Sequence, residues 1–144
     1  MLYSGGKLPA KIKAALESEG LEFVEEGVFG SIVFRQYRSP QRYSFRGRRG
    51  FCGALAITSH RLLAGCGHPE SLDVAFNHQS FRTLQVKVDR ANRLCISYDA
   101  AQFYSDRSGK VELRFETPQA HRAAALLQKQ LQWSGVTHGT QLVP

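Results

Sequence analysis

The chain has 144 residues and a formal net charge of +7, with 42% hydrophobic and 22% charged residues, an ordinary balance for a globular protein. A single domain of this length buries roughly 68 to 70% of its unfolded surface, so a core needs neither a metal nor a disulfide framework. No run of about 18 uncharged apolar residues is present to cross a bilayer as a helix. Lys7, Lys11, Lys13, Glu17 and Glu19 break up the stretch where a secretory signal carries its apolar segment, so a cytoplasmic location is expected.

The first predicted element is a short amphipathic helix over residues 8–20. Pro9 suits a first turn, Leu8, Ile12, Ala15 and Leu16 recur at helical spacing, and Gly20 is placed to end it. Short runs with strand character follow: Val28 to Tyr37, Arg42 to Arg46, Gly53 to Thr58, Arg61 to Ala64, Leu72 to Phe76, Phe81 to Val88, Leu94 to Tyr98 and Val111 to Phe115. In two of them, Leu84, Val86, Val88 and Leu94, Ile96, Tyr98 alternate with Gln85, Lys87, Cys95 and Ser97. That is the pattern of a sheet with one buried face. Asp89 to Arg93 is expected to turn the hairpin between them.

The strongest helical signal spans residues 118–133. Thr117 is positioned to cap and Pro118 to open it, and Ala120, Ala124, Leu127 and Leu131 form one apolar stripe before Gly135. Trp133 is expected to extend that contact. The predicted domain is thus one unit over residues 1–135, with strands from about 28 to 116 and a flexible tail over 136–144. Many short antiparallel strands need protected edges, and an apolar helix needs a surface to cover. The expected class is therefore mainly β (α+β), a closed or nearly closed antiparallel barrel with a C-terminal helix and a short N-terminal one.

The segment Gly53-Ala-Leu-Ala-Ile-Thr58, a two-residue turn at Ser59 and His60, and Arg61-Leu-Leu63 resembles the core hairpin of GRAM and bacterial pleckstrin-homology domains. The resemblance spans Val28 to Leu131. It implies a bent seven-stranded barrel plugged at one end by the last helix, in a superfold of mostly noncatalytic modules that bind phosphoinositides, peptides or other proteins. Lipid-binding members carry basic residues around the first strands. Arg38 and Arg46-Gly47-Arg48 are similar to that pattern, but with arginine throughout and no lysine.

Charge is concentrated in that same region. From Arg35 to Arg49 there are six arginines (35, 38, 42, 46, 48 and 49) and no acid, leaving 13 basic and 12 acidic residues elsewhere. In an extended segment Arg42, Ser44, Arg46 and Arg48 share one face, and Tyr43 and Phe45 point the other way, as core aromatics. Guanidinium groups grip carboxylate and phosphate in bidentate fashion. Arg38, Arg42, Arg46, Arg48 and Arg49 are therefore the candidate anion- or partner-binding residues, for an acidic protein surface or an anionic lipid headgroup. The competing partner is RNA or single-stranded nucleic acid. Arg46-Gly-Arg-Arg-Gly-Phe51 resembles arginine-glycine stretches of RNA-binding segments, and Tyr37, Tyr43, Phe45 and Phe51 offer stacking surfaces if they are not core. No helix-turn-helix, zinc finger or RRM aromatic motif accompanies them. A third reading is a homo-oligomer formed through barrel edges or the first helix, weighed against that helix covering its own barrel.

Catalysis and cofactors are not expected. The chain lacks a G-x-S-x-G elbow and an H-E-x-x-H helix. Ser108-Gly109-Lys110 lacks the rest of a Walker loop, and Gly65-Cys-Gly67 lacks the third glycine of a dinucleotide fingerprint. Cys52, Cys66 and Cys95 are odd in number and far apart, which fits separate buried thiols. Cys52 pairs in principle with His60, His68 or His78, but it lies in an apolar run where an inert thiol is the usual state. No CxxC or HxxxH pair holds two metal ligands on one local scaffold, and His121 is expected to be exposed.

Overall fold

The computed structural model describes residues 6–40, 42–65 and 71–140, with the side chains of all of these except 42 and 133–140. Helix α1 (Ala10–Ser18) is followed by strands β1 (Leu21–Ser39), β2 (Arg42–Thr58), β3 (Arg61–Ala64), β4 (Leu72–Ala75), β5 (Gln85–Asp89), β6 (Arg93–Asp99) and β7 (Ser108–Glu116). Helix α2 (Ala120–Thr140) ends the chain order. All seven strands pair antiparallel in one curled sheet, in the order β4-β3-β2-β1-β7-β6-β5. This is the mainly-β, seven-stranded, two-helix architecture expected from the pattern of the sequence.

The curl has local causes. β1 is 19 residues long and β2 is 17, and strands of that length accumulate right-handed twist. Register shifts interrupt the β1–β2 ladder between Leu21 and Phe23 and between Glu25 and Val28, bending the pair as bulges do. β1 then turns its other edge to β7 from Gly30 onward. At that crossing a Cβ on residue 30 would lie 1.9 Å from the Arg114 carbonyl oxygen, so only glycine permits the approach.

The inner face of the curl holds the main core. Ile32, Phe34, Leu55, Ile57, Leu113 and Phe115 are buried there, and α2 closes over them with Ala120, Ala123, Ala124 and Leu127. Each large side chain taken fully from water contributes about 1.5 to 3 kcal/mol. Leu131, expected in the same stripe, is only half-buried. The Thr117 hydroxyl oxygen accepts from the Gln119 amide at 3.0 Å and donates to Glu25, fixing the start of α2. The helix begins at Ala120 and its backbone runs past Gly135 to Thr140, so residues 136–140 of the expected tail continue the helix and residues 141–144 lie outside the described residues.

The outer face is covered at one place by α1. Leu8 and Leu16 pack with Ala54, Ala56 and Leu63 of β2 and β3. The Leu8 amide and Lys13 Nζ both donate to Glu26, at 2.7 and 3.0 Å, and these two bonds hold the Glu26 carboxyl below its ordinary range. At the other end Arg61 bridges Glu19 and Asp73, 2.9 Å from each. Of the predicted stripe, Leu8 and Leu16 are thus buried and Ile12 is half-buried within the chain, while Ala15 is exposed.

Several element boundaries differ from the sequence-based expectation. Arg42 to Arg46 and Gly53 to Thr58 are parts of one continuous strand, because the β1 ladder runs on through Gly47 opposite Phe34 and Gly50 opposite Ser31. β1 likewise begins at Leu21, ahead of the expected Val28. The predicted strand from Phe81 to Val88 is half a 3-10 turn, Gln79–Thr83, with His78 Nδ1 accepting from the Ser80 amide at 3.1 Å. Phe81 is fully buried from that turn, so its apolar character marks an anchor and not a strand.

Candidate functional site

The arginine-rich segment forms the distal part of the β1–β2 hairpin, beyond the reach of β3, which pairs only Leu55 to Ile57 of β2. Alternation is broken there. Gln36 has a left-handed backbone, with φ at 52°, and the β1–β7 register shifts between Arg35 and Arg38. Two consecutive side chains on each strand, Arg35 and Gln36 on β1 and Phe45 and Arg46 on β2, therefore face water, while Phe34 and Tyr37 turn inward.

This irregularity overturns the expectation that Tyr43 and Phe45 are core aromatics: they are 57% and 61% exposed. Of the other two candidate stacking residues, Tyr37 is buried, and Phe51 is half-buried with its ring edge-on to Phe115 at 5.4 Å.

The five candidate arginines are not brought together as one strip. Arg46 and Arg48 are exposed on the outer face. Arg49 is opposite Ile32, on the inner side of the hairpin, with its guanidinium 5.9 Å from the Phe34 ring. Arg38 stacks on its cross-strand neighbour Tyr43 at 4.7 Å, near the hairpin end. The Arg42 backbone pairs with Ser39, and its side chain lies outside those described.

What does assemble is a row across four strands that includes Lys110 and Asp99, neither of them a candidate from the sequence. Arg35 stands opposite Arg46 on β2 and opposite Lys110 on β7, and Lys110 stands opposite Asp99 on β6. Directly opposed residues have their Cβ atoms roughly 5 Å apart. A groove of about 440 Å³ runs along this row, lined by Arg35, Arg46, Lys110, Asp99 and Phe45. A second, of about 250 Å³, opens on the other side of Arg35 and Lys110 toward Val33, Ser97 and Glu112. Asp99 is partly engaged, accepting from the Ala101 amide at 3.0 Å.

The surrounding charges show which cations serve the fold. Arg61 is paired with Glu19 and Asp73, and Arg93 with Asp89. Arg114 pairs with Glu112. Burial pushes the Glu112 carboxyl up, but its hydrogen bonds from Arg114 and Ser97 outweigh this and leave it below the usual range. Among the described residues, none of Arg35, Arg46, Arg48 and Lys110 has an ion-pair partner. Like charges directly opposite one another cost stability on a sheet, and the one carboxylate in the row, Asp99, stands opposite Lys110 and not opposite Arg35 or Arg46. Arg35 was legible as part of the arginine run. Lys110 was not, because more than seventy residues of sequence separate it from Arg35 and only the β1–β7 pairing joins them.

Among the described residues, the thiols and imidazoles sit on separate elements. Cys95 is buried and donates to Asp89 at 3.5 Å, and burial first, then the nearby carboxylates, pushes its thiol up to about 11. Cys52 is half-buried, and His60 and His121 are exposed. Cys66 and His68 lie outside the described residues. Among the described residues, no three of His, Cys, Asp and Glu group as metal ligands do. No described helix is long and apolar enough to cross a membrane. Compared with family models, with curated proteins and with solved structures, the chain gives no match.

Proposed function

We propose that this chain is a noncatalytic binding module of pleckstrin-homology-like build, whose outer sheet face holds a partner rich in carboxylate or phosphate. The observation that carries this reading is the row Arg46, Arg35, Lys110: three cations on adjacent strands, beside a groove, without ion-pair partners among the described residues. A fold under selection for stability alone gains nothing from opposing Arg35 and Arg46, whereas an incoming anion converts their repulsion into attraction. Arg48 extends the same field along β2.

Binding of polyglutamate and of anionic phospholipid vesicles, each at low and at physiological salt, tests the reading. Both rely on screened charges, so binding should weaken steeply as salt rises. The double variant Arg35→Gln, Arg46→Gln should lose it while melting no lower than the parent. Binding unchanged in that variant, or insensitive to salt, overturns the proposal.

A second reading has its own support. Tyr43 and Phe45 are exposed beside arginines, and Arg38 already stacks on Tyr43, the arrangement that lets bases stack on a single-stranded nucleic-acid binder. Salt-sensitive binding of oligouridine that is lost in Tyr43→Ala and Phe45→Ala favours this reading over the first.

A further inference from the structure

Of the two grooves that flank Arg35 and Lys110, the larger has a carboxylate to spare. In the smaller, Glu112 already takes hydrogen bonds from Arg114 and from Ser97. In the larger, Asp99 is exposed, its Oδ1 accepts from the Ala101 amide at 3.0 Å, and among the described residues its Oδ2 accepts nothing. Gln36 of β1 and Gly109 of β7 line this same groove, and both hold left-handed backbones, with φ at 52° and 96°. A residue other than glycine in that conformation carries a strain of the kind that clusters at ligand sites.

The row along the groove has an order of sign. Arg46, Arg35 and Lys110 come first and Asp99 last, on β2, β1, β7 and β6, with adjacent strands about 4.8 Å apart. A ligand that is anionic along its whole length, such as a polyphosphate or a nucleic-acid backbone, would run its last charges against Asp99. A ligand with an anion at one end and a cation at the other meets an opposite charge at both. The number of cations sets the anionic end. Arg46, Arg35 and Lys110 have no ion-pair partner among the described residues, and they outmatch the single charge of a carboxylate or a phosphodiester. A phosphate monoester brings nearly two charges at pH 7 and three acceptor oxygens for the guanidinium forks of Arg35 and Arg46. Reach sets the cationic end: Asp99 lies one strand spacing from Lys110 and two from Arg35, roughly 5 to 10 Å, which a short alkyl chain spans.

We infer that this groove binds a small phosphate monoester that also carries an ammonium group, an aminoalkyl phosphate in chemical class, with Arg35, Arg46 and Lys110 on the phosphate and Asp99 on the ammonium. This rests on the anion-binding reading of the outer face and names the ligand class for it. Asp99 is the specificity-determining residue.

Aminoalkyl phosphates of two, three and four carbons, each paired with the alkyl phosphate of the same length, are the probes, titrated against the full chain by phosphorus NMR. An exposed ion pair changes an equilibrium by up to about fivefold, so at least one amine should bind about three- to fivefold more tightly than its alkyl control. Asp99→Asn keeps a side-chain oxygen to accept from the Ala101 amide. It should bring that ratio to about one while holding the alkyl phosphate at least as tightly as the parent does. Arg35→Gln should weaken both members of each pair. A ratio of about one in the parent, or a preference that survives in Asp99→Asn, overturns the inference. If polyglutamate is still held through Arg35 in that case, the anion-binding reading stands without it. Binding confined to phosphatidylethanolamine vesicles, which present the ammonium on a diester, overturns the inference as well. Loss of every anion together removes both.

Discussion

Arg35 and Arg46 occupy directly opposite positions on β1 and β2, both exposed, so the hairpin carries a like-charge pair where a sheet would gain from a neutral or opposite one. Replacing Arg35 with threonine, a good strand former, should therefore raise stability by about 0.5 kcal/mol. The same change should weaken binding of polyglutamate several-fold. Urea unfolding and a binding titration on one preparation check both, and a variant that is less stable than the parent contradicts the assignment of this pair.

Gly109 lies against the bend of β1. Its φ is 96°, and a Cβ there would fall 2.2 Å from the Gln36 carbonyl oxygen. Gly109→Ala should lose about 2 to 4 kcal/mol, since neither the backbone conformation nor the space admits a side chain. Gly50→Ala is the matched control and should stay within about 0.5 kcal/mol, because open space surrounds that position. Equal melting temperatures for the two variants would show that the β1–β7 contact is looser than described.

Leu127 is fully buried beneath α2, whereas Leu131, one turn on, is half-buried. Leu127→Asp places an unpaired charge in the core, at a cost comparable with the whole stability of a domain, about 5 to 15 kcal/mol, and should abolish folding. Leu131→Asp should fold with a lowered melting temperature. Circular dichroism of the pair distinguishes a docked helix from one that merely lies near the sheet.

Cys95 should be slow to alkylate at neutral pH, because its thiol is held protonated up to about 11 against an ordinary 9.0. The sign of the pH effect follows. Below pH 9.0 the thiol is neutral whether the chain is folded or not, and its contribution is fully present. As pH rises through about 11 the unfolded chain ionises first, and that contribution is lost. Cys95→Ala should therefore show a shallower alkaline loss of stability than the parent, measured as the difference in urea midpoint between pH 8 and pH 11. Rapid labelling at pH 7 would contradict the burial of this residue.

The alternating apolar runs, the stripe of Ala120, Ala124 and Leu127 and the Thr117 cap were sufficient to read eight strand-like runs, two of which join as β2, and two helices, because period and capping are local properties of the chain. The concentration of arginine between Arg35 and Arg49 was equally plain, since charge is counted without knowing direction. Direction was the part left open. Strict alternation put Tyr43 and Phe45 in the core, whereas both are exposed at the hairpin end, where β1 carries the left-handed Gln36. Lys110 joined Arg35 only through the β1–β7 ladder, and β3, four residues long beside a strand of 17, pairs with only Leu55 to Ile57 of it. Pairing between distant strands and the length of a neighbour are decided by the whole packed sheet, and no window of local sequence contains them.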